Sequence, residues 1–506
     1  MGKNSMITLE AEVKHTESQN KPVQPPALEL VIKLCNALAA EEINYCHWKS
    51  NEALDRSANG DNDLDLLVSR IHAQHFTEIL YRLGFKETLS VRRDELPGVR
   101  DYYGYDVKSG RLIHVHAHFQ LILGNDLSKN YRLPLENRYL ESSVQGDLFR
   151  VPRLEWECVI FVLRMVLKHS TWDSILMRHG RLSPSEEREL VYLSAPSALL
   201  KAKALLQYLP GLSSNLFEEC LQALQPGCSF WMRIKVGEQL QRVLQSSARY
   251  PHSTDVLAKF ARRVWHPIQR RVFGYKPKNR FASGGLFIAI VGGDGAGKTT
   301  LIDELYAWLS GKFEVTKVHM GKPDWSLSTI LIRGFLKIGS FLGFYPFEGD
   351  IYEESRQPHG LPWFIRAVCT ARDRYLTYVR ARQFSSNGGL VLCDRFSFLD
   401  FMRMDSLQCE QAIPSLKKRN WFHKLLAKWE RDYYERIKLP DLLIVLKVEP
   451  QIAVQRKKEE SEAAVWARSS EVWQLNWRQE SAFIIEAGLP RAEVVAQAKA
   501  LLWTHL

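Results

Sequence analysis

Residues 286–300, LFIAIVGGDGAGKTT, constrain the fold more than any other stretch of the chain. Leu286 to Val291 is an unbroken apolar run, the mark of a strand buried on both faces. Gly292 to Gly297 form a loop, and Lys298, Thr299 and Thr300 open a helix that continues LIDELYAWL. Strand, G-x-x-x-x-G-K-[ST] and helix thus follow in the order of a phosphate-binding loop. Glycines let successive amides turn inward around phosphate oxygens, and the helix N-terminus adds positive potential. The candidate ligand set is therefore Gly292, Gly293, Asp294, Gly295, Ala296, Gly297, Lys298, Thr299 and Thr300. Lys298 can reach the outer phosphates of a nucleoside triphosphate, and the Thr299 hydroxyl suits Mg²⁺.

At 506 residues the chain has room for about three domains. Its net charge of +11 suits phosphate-bearing ligands, nucleic acid or an anionic surface, and chooses among none of them. The eight cysteines are scattered and form no C-x-x-C pair, which predicts reduced thiols and a cytoplasmic chain. No signal peptide is read in the polar run from Met1 to Pro26, which is expected to be a disordered tail. The apolar stretch Ser328–Phe344 is broken by Arg333 and Lys337. It reads as a core or surface helix, open to peripheral membrane contact, and no transmembrane segment is expected.

Three segments follow from periodicity. Residues 27–150 mix the two patterns: helices at Ala27–Ala40 and His72–Phe85, strands at Ile43–Asn51, Asp63–Ser69 and Arg111–Leu123. Residues 151–280 are helical and close with a basic run, Lys259–Arg280, read as a helix leading into a linker. A solvated face explains that run better than nucleic-acid binding. Residues 281–506 alternate strands and helices, which predicts an α/β domain with a parallel sheet between helices.

Two further motifs belong to that last segment. GGLVLCDRFSF, from Gly388 to Phe398, is a strand ending in Asp394 and Arg395. An acid at the C-terminal end of a parallel strand lies where such sheets bind ligands, and an adjacent arginine can clamp a phosphate. Lys438–Glu460 reads strand, turn, helix and presents Arg456, Lys457 and Lys458, cations able to fold over a triphosphate. Arg468 and Arg478 follow. With these residues in place, the segment resembles the thymidylate kinase family. GGDGAGKTT is similar to its phosphate loop, Thr370–Phe396 to its substrate helix and the next strand, and PDLLIVLKVEPQIAVQRK to its late strand and lid entry. The resemblance implies an ATP- and Mg²⁺-dependent kinase, with Asp294, Arg374 and Arg395 binding the acceptor, and a homodimer. It departs from the family on the acceptor side. Val318–Pro323 replaces an Arg-Glu-Pro-Gly-Gly stretch, Thr370 stands in the place of a stacking Phe, and Ser397–Phe401 replaces a Ser-rich run. A base pocket discriminates through stacking and polar contacts, so these changes point to another acceptor, a nucleotide or a phosphorylated sugar.

The second constellation is GDNDLDLLV, residues 60–68. Asp63 and Asp65 lie two apart on a strand and face one side, as paired carboxylates holding Mg²⁺ for nucleotidyl transfer do. His47–Asn51 could supply phosphate contacts. This layout resembles the polymerase-β-type nucleotidyltransferase superfamily, which usually carries a third acid on a later strand. Here that strand is Ile113–His118 and holds His114, His116 and His118, but no carboxylate. The histidines could replace the acid, bind a transition metal with Asp63 and Asp65, or fill a polar cleft.

The sequence therefore predicts a nucleotidyltransferase-like module joined through helices to a P-loop kinase. In the kinase, Lys298, Asp394, Arg395 and Arg456 carry the transfer, and Thr299 and Asp394 hold the metal. Two other readings stand beside it: an ATP-binding regulatory protein with a degenerate N-terminal domain, and a nucleic-acid end-processing enzyme. The last ranks lowest, because no stacking platform accompanies the basic run.

Overall fold

The computed structural model describes residues 26–90, 96–125, 127–176, 181–272, 278–344, 360–398, 406–415, 421–457, 460–477 and 482–506. The expected tail, apart from Pro26, lies outside them. So do Lys458, Arg478 and the stretch from Leu399 to Phe401. The fold is mixed α/β, built on two sheets with helices between and around them.

The first sheet has six strands. These are β1 (Tyr45–His47), β2 (Leu64–Val68), β3 (Lys86–Leu89), β4 (Val99–Asp106), β5 (Arg111–His118) and a late addition. Hairpin strands β6 (Leu121–Leu123) with β7 (Tyr131–Leu133), and β8 (Val144–Gln145) with β9 (Arg150–Val151), lie apart from it. The late addition is β10 (Arg280–Phe281), and the order is β1-β2-β5-β4-β3-β10. Only the β2–β5 pair is parallel. It sets Asp65 opposite His116, while the antiparallel β4–β5 pair sets Asp101 opposite the same histidine. The expected strand Ile43–Asn51 is shorter, because Asn51–Ala53 turns into a 3₁₀ helix. The expected strand Arg111–Leu123 breaks after His118, and its last residues start the β6–β7 hairpin.

The middle segment is helical. Its hub is the helix Leu154–His169, of which twelve residues are buried. Helices 184–193, 196–205, 214–223 and 230–243 surround it and contribute Leu193, Ala202, Phe217 and Leu240 to one core. The basic run contains the end of helix His252–Val272, but its expected linker character stops at Arg280. Phe281 is buried against Phe313 and Trp503, and that burial makes β10 a strand of the first sheet.

The second sheet has five parallel strands: β11 (Leu286–Gly292), β12 (Val315–His319), β13 (Leu390–Asp394), β14 (Leu442–Lys447) and β15 (Phe483–Glu486). Their order is β12-β13-β11-β14-β15. Every residue of the central β11 is buried, which is why its sequence is continuously apolar. Alternation splits its side chains between two cores. Ile288 and Ile290 pack with Leu305 of helix Lys298–Ser310 and Leu502 of helix Arg491–His505. Phe287, Ala289 and Val291 pack with Tyr378 of helix Leu361–Ser386 and with Trp477. The helix Leu327–Phe341 exposes Leu327, Phe335 and Phe341. Among the described residues no helix is long and apolar enough to cross a membrane.

The two sheets share a core. Tyr103 and Tyr105 of β4 belong to the cluster that includes Ile288 and Leu305. The Trp503 indole donates to the Gly84 carbonyl at 2.9 Å, and the Asn279 amide donates to the Tyr103 hydroxyl at 3.1 Å.

Candidate functional site

The C-terminal ends of β11 and β13 open on a cavity of about 560 Å³. The glycine loop forms its floor. Gly295 and Gly297 have φ of 75° and 86°, the left-handed region that side chains resist. A Cβ on Gly295 would stand 2.8 Å from the Ala453 carbonyl oxygen. Gly297 is the N-cap of helix Lys298–Ser310 and provides no side-chain cap, so the first-turn amides of a thirteen-residue helix face the cavity mouth.

Lys298 Nζ donates to the carbonyls of Gly292 and Gly293, both at 2.9 Å, and curls over its own loop. Asp294 is buried. Its carboxylate stands 2.8 Å from a nitrogen of Arg468 and 3.6 Å from one of Arg395. Ser469 donates to the Asp294 carbonyl, which fixes helix Glu462–Gln474 over the loop. Arg456 donates to the carbonyls of Ala487 (3.0 Å) and Gly295 (3.4 Å). No motif in the sequence singles out Arg468 as a site residue. Only its position on a helix folded back over the loop reveals its pairing with Asp294.

Asp394 closes β13, level with Ile290 on one side and His319 on the other. Its Oδ1 is buried and has no hydrogen-bond partner. This buried, unsatisfied carboxylate oxygen belongs to a residue that lines the same cavity as Thr299, and a carboxylate with a hydroxyl is a donor pair of the kind Mg²⁺ takes, so the two residue types fit that ion. Arg395 adopts φ 56°, a strained conformation for a side chain and common at ligand sites. The structure thus gathers Asp294, Gly295, Ala296, Gly297, Lys298, Thr299, Thr300, Asp394, Arg395 and Arg456 around one cavity. Arg374 stands apart from it. It is buried and donates to the carbonyls of Met320 and Gly321 and to the Tyr434 hydroxyl.

The second constellation lies on the first sheet. His114 bridges two acids: its Nδ1 is 2.9 Å from Asp63 and its Nε2 is 2.9 Å from Asp101. Tyr103 stacks on the ring at 4.4 Å. Burial opposes a charge on His114, but the hydrogen bonds it donates to Asp101 and Asp63 outweigh it and raise its pKa to about 9. Burial likewise works against the Asp63 charge, and the His114 contact overcomes it and lowers the carboxyl. Asp65 Oδ1 meets Lys49 Nζ at 2.8 Å and His116 Nδ1 at 3.1 Å, with His118 Nε2 at 3.8 Å. Burial would raise this carboxyl, yet Lys49 and the two histidines hold it well below the usual range. Burial, aided by His116, pushes His118 well down, so it is a neutral imidazole.

Asp101 is the residue the sequence reading missed. It sits in DYYGYD on β4, which no strong alternation announces, and pairing with β5 brings its carboxylate to the histidines. As it stands, this cleft does not fit paired Mg²⁺ ions. The His114 imidazolium bridges the Asp63 and Asp101 carboxylates, the Lys49 ammonium pairs with Asp65, and imidazole nitrogens stand among the three acids, whereas Mg²⁺ takes oxygen.

Compared with protein-family models and with curated proteins, the chain matches none.

Proposed function

We propose that the chain is a phosphotransferase that moves the γ-phosphate of ATP to a phosphorylated small acceptor, a nucleoside monophosphate or a related metabolite. One observation carries this reading. The glycine loop with Lys298 and Thr299, and the Asp394–Arg395 pair from a separate strand, line the same cavity at the C-terminal edge of a parallel sheet. A cavity of about 560 Å³ is within the range that small-molecule ligands fill. The motifs' resemblance to thymidylate kinases supports the same reaction class.

In this reading the loop amides and the uncapped helix N-terminus hold the triphosphate. Lys298 exchanges two carbonyl partners for phosphate oxygens, a gain because the new partners are anionic. Arg456, held against the Gly295 and Ala487 carbonyls, adds a second cation to the same cavity. Asp294 holds Arg395 and Arg468 near the loop, so that Arg395 can orient the acceptor phosphate in line with the donor. An acceptor phosphate oxygen is largely ionised at neutral pH and needs no general base. Thr299 and Asp394 would hold Mg²⁺, which when bound neutralises charge on the transferred group. The remaining rate gain is positioning.

The proposal does not extend to nucleotidyl transfer at Asp63 and Asp65, because His114 and Lys49 already pair with the two carboxylates that would hold its metal. A screen of nucleoside monophosphates and sugar phosphates with γ-labelled ATP tests the kinase reading. One acceptor should be labelled by the intact protein and not by Lys298→Ala. Retention of full transfer in Lys298→Ala, or no transfer to any acceptor despite tight ATP binding, refutes it. The second result would favour a regulatory ATP-binding protein.

A further inference from the structure

Three nitrogen and oxygen donors converge on the first sheet, remote in sequence from the glycine loop. Asp65 Oδ1, His116 Nδ1 and His118 Nε2 form a triangle with edges of 3.1, 3.2 and 3.8 Å. A tetrahedral ion with bonds of about 2.0–2.1 Å spaces its ligands about 3.3 Å apart. The triangle brackets that spacing before any side chain moves. We propose that Asp65, His116 and His118 form a binding site for one divalent transition metal ion of the zinc class.

The chemistry of the donors selects the ion. Two imidazoles and one carboxylate suit zinc, nickel, cobalt or ferrous iron, and suit neither Mg²⁺ nor Ca²⁺. The surroundings hold the donors in place. His116 and His118 alternate along β5 and meet on one face, their ring centroids 4.3 Å apart. Trp48 contacts the His118 ring edge-on at 4.9 Å. Asp101 lies 3.8 Å from His116 Nε2, the nitrogen turned away from the triangle. That is the place of the outer carboxylate that orients a metal-bound imidazole. Three protein donors leave one position of a tetrahedron open, and the His116 side chain, 24% exposed, marks the side from which it is reached.

Lys49 is the competitor. Its Nζ lies 2.8 Å from the same Asp65 oxygen and supplies a positive charge where the ion would sit. Its side chain is long and partly exposed, so it can withdraw toward solvent when an ion enters. This competition separates the proposal from a purely structural cluster, since removing Lys49 must strengthen metal binding.

The test uses the full chain stripped with a chelator, then titrated with Zn²⁺ by calorimetry and with Co²⁺ by visible absorption. One equivalent of each is expected, with the intense Co²⁺ bands of low coordination number. His116→Asn should weaken Zn²⁺ at least tenfold, and Lys49→Met should tighten it about tenfold. Asp63→Asn, outside the triangle, should change it little. Absence of a Zn²⁺ site in both the parent and Lys49→Met overturns the proposal. Equal affinity in the parent and His116→Asn does so too, as does an affinity that Lys49→Met leaves unchanged or lowers. A site lost with Asp63→Asn and filled equally well by Mg²⁺ would assign the cleft to a carboxylate pair instead.

Discussion

His114 provides a stability switch that can be read by pH alone. In the folded chain it stands between Asp63 and Asp101, and its pKa lies near 9 against an ordinary value of 6.5. A raised pKa means that the folded state holds the proton more tightly. Its stabilisation is therefore complete below pH 6.5 and disappears as the pH rises through 9. That difference corresponds to about 3 kcal/mol, an order-of-magnitude figure for a side chain only 15% exposed. Asp63 has a lowered pKa, so its own contribution is lost only in acid, below the ordinary 3.8, and leaves this window clear. The perturbation is His114→Gln, which keeps a polar side chain of similar reach and cannot become a cation. Urea unfolding of parent and variant, in chelator, should be compared from pH 6 to pH 10. The gap between them should be about 3 kcal/mol larger at pH 6 than at pH 10, on the order of 1 M in midpoint. A gap that does not change with pH would show that His114 is neutral in the folded state, and the reasoning about the two acids would fail.

Other outcomes follow from the same geometry. Gly295→Ala should abolish ATP binding measured by calorimetry, because the residue sits at φ 75° and its Cβ would press on the Ala453 carbonyl. Asp394→Asn should lower kcat about 10²–10³-fold and raise the Mg²⁺ concentration for half-maximal rate, while ATP affinity without Mg²⁺ stays unchanged. Arg374→Leu should lower unfolding stability by about 2–4 kcal/mol, since the carbonyls of Met320 and Gly321 lose a buried donor. An unchanged urea midpoint with a raised acceptor KM would instead place Arg374 against the acceptor, as the family resemblance implies.

The glycine loop was legible because its chemistry is local. The strand, the turn and the helix are consecutive, and the loop's candidate donors are backbone amides. Asp394 and Arg395 were legible for a related reason: an apolar run ending in a charged pair marks the binding edge of a parallel sheet. The helical middle segment was equally plain, since periodicity needs no knowledge of the partner surface.

Arg280–Phe281 was not legible, because two residues carry no period and β10 exists only where β3 offers an edge and the Phe313–Trp503 cluster offers a pocket. The burial of Arg374 was hidden as well, since an arginine at helical spacing has the same sequence pattern whether it meets a ligand or a carbonyl. The role of Asp101 depended on strand pairing. Antiparallel register brought it to His116 across a gap in sequence that no motif spans. The sequence alone thus determined the strand, glycine loop and helix around Lys298 and which segments are helical, because both arise from neighbours along the chain. Only the tertiary structure decided which charges face one another around Asp65, His114 and Asp294, because Coulomb and hydrogen-bond energies depend on distances that separate strands set when they pair.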